Sequence, residues 1–207
     1  MHLSLNHPSV HAIVLAGGLS SRMGQDKALL PFEGVPLLLR VCQVASRCTE
    51  QVCVVSAWSE LYRSLFPDLE FPIQWISESL LEGEPQGPMM GFIQGLKIIQ
   101  SDWSLLLACD LPRLQAEVLQ DWIAHLPEAA PETVALLPRN PQGWWEPLCG
   151  FYRQQALSSL IDFSQRGGRS FQRWLDTQMV QELPLADPTM LVNCNTPADF
   201  DRLQHTF

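Results

Sequence analysis

Between Leu15 and Lys27 the chain reads Leu-Ala-Gly-Gly-Leu-Ser-Ser-Arg-Met-Gly-Gln-Asp-Lys, so residue types suited to holding a phosphate chain crowd together. Gly17-Gly18 lets the backbone turn sharply and approach a ligand without side-chain obstruction. Successive backbone N–H groups in such a turn form an anion-binding nest. Ser20 and Ser21 add hydroxyl donors, while Arg22 and Lys27 bring positive charge. Two general phosphate loops are excluded by spacing: G-x-x-x-x-G-K-[ST] finds no match, and G-x-G-x-x-G fails because Gly17 and Gly18 are adjacent.

Two further segments carry candidate chemistry. Asp110, in Cys109-Asp110-Leu111-Pro112, follows an apolar run and stands where a Mg²⁺ ligand would be wanted. That ion takes one or two protein carboxylates and completes its shell with phosphate oxygens and water. The same aspartate could instead cap the following helix, and the motif alone leaves both roles open. Near the other end, Thr196-Pro197 reads as a helix start. Capping does not explain Asn193 and Asn195, whose spacing would point both amides one way from a strand. Trp144 and Trp145 could stack on a flat ligand or simply fill core and rim. The five histidines show neither H-x-H nor H-E-x-x-H spacing, which disfavours a zinc site, and no G-x-S-x-G elbow is present.

The elements that must position these residues alternate strand with helix. Strands are expected at 11–16, 51–57, 71–76 and 103–108, with helices at 36–48, 59–66, 87–100 and 114–126. The loop 78–86 is polar. Strands apolar on both faces and separated by helices imply a parallel sheet covered on both sides. The right-handed crossover rule then predicts a single three-layer, doubly wound α/β domain with a mostly parallel, Rossmann-like central sheet. In such sheets ligands bind beyond the carboxyl ends of the strands, where the loops after 11–16 and 103–108 meet. The second half is less regular: strands at 134–137, 144–152, 180–185 and 191–193, and helices at 158–165, 170–177 and 197–204. With no repeat or linker, the whole of 1–207 reads as one domain, and Met1 to Ser9 as a frayed tail.

Composition narrows the partners. A net charge of −9 argues against nucleic acid or an anionic membrane, so an anionic substrate must be held by a local cluster of donors. Only two lysines occur, Lys27 and Lys97, which makes the one in the glycine-rich loop conspicuous. Six cysteines without a C-x-x-C pair suit buried free thiols in a reducing cytoplasm. No apolar run approaches the roughly 20 residues of a membrane helix, and the first residues show no signal-peptide pattern.

The thirteen-position stretch L-A-G-G-x-S-x-R-M-G-x-D-K resembles the signature of the molybdenum cofactor guanylyltransferase (MobA) family, within the wider nucleoside-triphosphate transferases. Sister families, cytidylyltransferases and sugar nucleotidyltransferases among them, tend to have A-A-G and Pro-Lys where this chain has Ala16-Gly17-Gly18 and Asp26-Lys27. The resemblance implies GTP binding by Leu15, Ala16, Gly17, Gly18 and Lys27, with Arg22 near the phosphates. It resolves Asp110 as a GTP and Mg²⁺ ligand. An acidic family position ahead of a G-P-x-x-G helix start falls on Glu78, followed by Gly87-Pro88-Met89-Met90-Gly91. Glu78 could equally be a solvated loop acid. A family asparagine after the second strand has no counterpart, since this chain has Val54-Val55-Ser56.

At the far end the family's N-x-N-T-P-x-D faces molybdopterin, which carries Asn193 and Asn195 to that substrate, with Glu146-Pro147-Leu148, Arg153 and Gly167-Gly168-Arg169-Ser170 as further candidates. What the resemblance implies is a Mg²⁺-dependent enzyme with a GTP-binding half at about 10–112 and a molybdopterin-binding half at about 113–207. It would transfer GMP from GTP to the terminal phosphate of molybdenum-loaded molybdopterin, with Asp110, Lys27 and Arg22 catalytic and pyrophosphate released. A molybdopterin-loading enzyme and molybdoenzyme chaperones are the protein partners it suggests. The rivals are a transferase using CTP or a sugar phosphate acceptor, and a non-catalytic nucleotide or cofactor carrier.

Overall fold

The computed structural model describes residues 8–17, 26–194 and 199. The expected Gly18, Arg22 and Asn195 contacts, and all but Asp199 of the expected helix at 197–204, lie outside this set. In chain order the strands are β1 (Val10–Leu15), β2 (Pro31–Phe32), β3 (Val35–Pro36), β4 (Gln51–Ser56), β5 (Ile73–Ser77), β6 (Trp103–Ala108), β7 (Ala135–Leu137), β8 (Cys149–Arg153) and β9 (Val180–Glu182). The helices are α1 (Leu37–Ser46), α2 (Ser59–Leu65), α3 (Pro88–Ile98), α4 (Ala116–Ala124), α5 (Ala156–Gln165) and α6 (Phe171–Leu175).

A seven-stranded sheet has the order β5-β4-β1-β6-β8-β7-β9. β1 pairs in parallel with both β4 and β6, and β7 with β9; only β8 runs against its neighbours. The chain moves from β1 outward to β4 and β5, then returns to the other flank of β1 as β6, which creates a switch point between β1 and β6.

Successive strand residues face opposite sides, and here both sides are covered. Ala12, Val14, Val52, Val54, Leu105 and Leu107 pack on one face with α1, α4 and the buried Trp122. Ile13, Leu15, Cys53, Val55 and Leu106 pack on the other with α3, α5 and α6, around Phe92, Tyr152 and Trp174. That two-sided burial is why β1, β4 and β6 read as largely apolar runs, whereas β5, at the sheet edge, is only partly buried. α3 lies especially close: a Cβ at Gly95 would meet Ile13 Cδ1 and Cγ2 at 3.0 Å.

Three expected elements differ. The helix expected over 114–126 is α4 followed by a 3-10 turn at Leu126–Glu128, because Pro127 cannot continue the α-helical bonding. The strand expected over 144–152 begins only at Cys149. Ahead of it, Asn140 organises a turn and Pro147 has no N–H to give a ladder. The strand expected at 191–193 is absent. Asp187 caps a 3-10 turn, Pro188–Leu191, and Val192 N–H bonds Thr189 O, so Asn193 does not stand on a strand face. All six cysteines are free and five are buried. No described helix is long and apolar enough to cross a membrane.

Candidate active site

The site is assembled where β1 and β6 end side by side, Leu15 opposite Ala108. Main-chain bonds fix the loops leaving both strands. Ala16 N–H donates to Val55 O (3.0 Å), Cys109 N–H to Leu15 O (3.1 Å), Ala108 N–H to Leu148 O (2.9 Å) and Cys194 N–H to Asp110 O (3.0 Å). Four stretches distant in sequence therefore meet around Asp110. Ser56, fully buried at the end of β4, donates its hydroxyl to Ala16 O (2.5 Å) and accepts from Trp58 N–H (3.0 Å). It occupies the region where the family asparagine was sought, and it holds the chain at Ala16, directly ahead of Gly17.

Lys27 and Asp110, 83 positions apart, form an ion pair of 2.6 Å. Asp110 is 8 % exposed and does not cap a helix, since α4 starts at Ala116 and Gln115 precedes it. The capping alternative is thereby removed. Lys27 opens a 3-10 turn, Lys27–Leu29, whose N-cap is Asp26. The Asp26 carboxylate accepts from Ala28 N–H (3.0 Å) with one oxygen and from the Tyr62 hydroxyl (2.7 Å) with the other. Tyr62, 1 % exposed on α2, has its phenol pushed above the usual range by burial and then by the adjacent Asp26 carboxylate. Asp26 is thus a brace for Lys27. Sequence reading missed Tyr62 and Ser56, because the hydroxyls that matter lie far along the chain and in no motif.

Glu78 is no solvated loop acid. Its N–H continues the ladder beyond β5 to Ser56 O (2.9 Å), which carries the side chain inward until it is 9 % exposed. Burial raises its carboxyl above the ordinary value, with a backbone hydrogen bond from Gln86 working the other way. A Cβ on Gly17 would come within 3.1 Å of Glu78 Oε2. Gly17 is therefore bare for a second reason besides the turn: a carboxylate lies over it.

One cavity of about 360 Å³ is lined by Leu15, Gly17, Lys27 and Asp110, by Glu78, Glu84 and the Gly87-Pro88 start of α3, and by Asn193. A second cavity of about 320 Å³ adjoins it; Leu148 and Asn193 line both. Asn193 reaches this seam through the neighbouring Cys194–Asp110 main-chain bond. Two expected acceptor-side groups do not reach it. The Arg153 guanidinium lies 4.4 Å from the Trp103 ring centroid and bonds the carbonyls of Thr133, Ala129 and Ala130. Arg169 bonds Ser164 O and Gly168 O while Ser170 caps α6, so both close a helix junction.

Among the described residues no group of three or more His, Cys, Asp or Glu could hold a metal. One hard oxygen donor, the Asp110 carboxylate, fits an ion such as Mg²⁺ that would take its remaining ligands from phosphate and water, and not an all-protein cage. The neighbouring Cys109 thiol is pushed far up by burial and then by Asp110.

A glycine at the end of the first strand, a lysine–aspartate pair and a base-sized cavity, all at the switch point of a parallel sheet, are the parts of a nucleotide site. Residues 12–181 match the model of the MobA-like NTP transferase domain, and the chain belongs to that family. It is 52% identical over 197 residues to a Nostoc protein named "Probable molybdenum cofactor guanylyltransferase", covering 95% of this chain and 91% of that one. A Pseudomonas putida molybdenum cofactor guanylyltransferase is 31% identical over 193 residues, covering 92% and 95%. In fold, the chain is similar to molybdopterin-guanine dinucleotide biosynthesis protein A of Archaeoglobus fulgidus, with a TM-score of 0.75 at 23% identity, covering 94% and 96%.

Proposed function

We propose that this protein transfers GMP from GTP to the terminal phosphate of molybdenum-loaded molybdopterin, forming the guanine dinucleotide cofactor and releasing pyrophosphate. The observation that carries this reading is the Lys27–Asp110 pair, 2.6 Å apart, at the mouth of the Gly17 turn in a chain of this family. A phosphate oxygen of the acceptor attacks the α-phosphorus as the bond to the β-phosphate oxygen breaks. The attacking group is ionised at neutral pH, so no dedicated base is needed.

The barrier then falls mainly through alignment and neutralisation of charge. An ammonium carries three donors, so Lys27 can keep Asp110 while binding a phosphate oxygen. Arg22, from its place in the motif, adds a second cation, and the N–H groups of Gly17 and Gly18 add dipoles. Mg²⁺, when bound through Asp110 and the phosphates, supplies further charge neutralisation. In this reading the guanine lies toward Glu78, whose carboxylate can accept from the adjacent ring N–H and amino group of that base. Asn193, with Asn195, contacts the molybdopterin side. Six free thiols fit a reducing compartment, the cytoplasm.

The test is turnover of GTP, CTP and UTP with molybdopterin and with sugar phosphates. GTP with molybdopterin is expected to dominate; preference for CTP or a sugar phosphate, or GTP binding without pyrophosphate release, would overturn the reading. Asp110→Ala is expected to reduce turnover by about 10²-fold or more with the fold retained.

A further inference from the structure

The second cavity is shaped by the segment between β7 and β8, and that segment is unusually well tied down. Asn140 Oδ1 accepts from Gln142 N–H (3.1 Å) and Trp144 N–H (3.0 Å), and Asn140 N–H returns a bond to Trp144 O (2.9 Å). Gly143 turns with φ +84°. Arg139 stacks 3.6 Å from the Trp145 ring centroid and pairs with Glu182 at 3.3 Å, while Gln172 donates to Trp145 O (2.6 Å). On this rigid backbone Trp144 is 62 % exposed. An indole held in water by a pinned main chain is neither core nor a loose tip. It is a flat apolar surface lining a cavity that shares Leu148 and Asn193 with the nucleotide cavity.

The same cavity is also lined by Glu146 and Gln172. Asn140 Nδ2 donates to one Glu146 oxygen at 2.9 Å. Burial pushes the Glu146 carboxyl upward, with the Asn140 bond opposing, so added N–H partners would favour its ionised form. A carboxylate offers about four acceptor sites, enough for two side-by-side N–H groups besides Asn140.

We propose that this cavity seats a pterin ring, stacked on Trp144 with the N–H edge of its 2-amino-4-oxo ring at Glu146. This rests on the acceptor being molybdopterin, and it assigns the groups that choose the acceptor. A pterin has the two properties the cavity addresses: a flat π face and, on one edge, a ring N–H beside an amino group. Seated here, the molecule can direct its phosphate across the Leu148–Asn193 seam toward Lys27 and Asp110. Trp144 and Glu146 thus govern acceptor binding, while the groups on the other side of the seam govern GTP.

The test uses the full chain and the variants Trp144→Ala, Trp144→Phe and Glu146→Gln. Two quantities are measured: the KM for molybdopterin in GMP transfer, and the Kd for GTP at equilibrium. Trp144→Ala and Glu146→Gln are expected to raise the acceptor KM tenfold or more, with kcat and GTP affinity within twofold of the parent. Trp144→Phe, which keeps a π face, is expected to recover most of the loss. An acceptor KM unchanged in both Trp144→Ala and Glu146→Gln would overturn the assignment, as would GTP affinity falling in step with it. Equilibrium binding of molybdopterin, read from pterin emission, makes the same comparison without turnover. Loss of transfer with intact, Trp144-dependent binding would count against the reaction and for the platform; binding indifferent to Trp144 would count against the platform alone.

Discussion

Lys27 and Asp110 act as a pair, yet what aims the lysine is two residues removed from either ligand-facing atom. Tyr62 holds Asp26, and Asp26 holds the turn from which Lys27 projects. Tyr62→Phe deletes one hydroxyl and leaves a half-buried carboxylate short of a partner, at a cost of about 1–3 kcal/mol. The chemistry is untouched, so the expected result is a lower urea midpoint and a raised KM for GTP with kcat nearly unchanged. Lys27→Ala removes the proposed phosphate contact itself. A charge-assisted bond is worth about 1.5–3 kcal/mol, so GTP affinity measured by calorimetry should fall roughly ten- to hundredfold. Glu78 gives a pH signature. Its carboxyl is raised in the folded protein from the ordinary 4.5, so folded protein binds the proton more tightly than unfolded chain does. Stability associated with Glu78 is therefore full below pH 4.5 and is lost as pH rises through the folded value. Glu78→Gln should raise Tm near neutrality, and the gain should vanish below pH 4.5. A gain that persisted in acid would contradict burial of the charge as its cause.

At the scale of elements, the first half was legible because its central strands β1, β4 and β6 are buried on both faces and its turns carry Gly or Pro. β6 was placed at its observed ends, and β4 and α2 within one residue. The second half was less so for reasons its residues supply. The run 144–152 is rich in aromatic and apolar residues as a strand would be, but Asn140 captures the backbone of Trp144 and defers the ladder to Cys149. The 191–193 segment is apolar enough for a strand but is closed by the cap at Asp187. Of the candidate site, Lys27, Asp110, Gly17 and Glu78 were named from sequence and line one cavity. The Ser56 and Tyr62 hydroxyls were not, because their importance exists only after β4 and α2 have packed beside the glycine turn. α3 offers a test of that packing. At Gly95 a methyl would press on Ile13 and Val55, both fully buried in the sheet. Gly95→Ala should destabilise by about 1–3 kcal/mol in urea titrations despite its better helix propensity. At Gly91 the nearest atom is Leu15 Cδ2 at 3.4 Å, so Gly91→Ala should leave stability nearly unchanged.

At the scale of the molecule, five of the six thiols are buried, and burial alone drives Cys53 up to about 12 while Cys48, the less covered one, sits at about 11. Native protein should therefore react with a thiol reagent slowly and at Cys48 first, with all six released by strong denaturant; rapid reaction of several thiols would mean the core opens readily. One reversed strand has a wider consequence. Because β8 runs against β6 and β7, the chain leaves β7 and re-enters β8 at the same rim of the sheet where β1 and β6 finish. The segment from 138 to 148 is thus clamped at both ends on adjacent strands at that rim, and it meets the β1, β4 and β6 framework through the bond from Ala108 N–H to Leu148 O. Such a segment behaves as a cassette. Its length and side chains can be exchanged without rerouting the chain, so a change of acceptor need not disturb the machinery that activates the triphosphate.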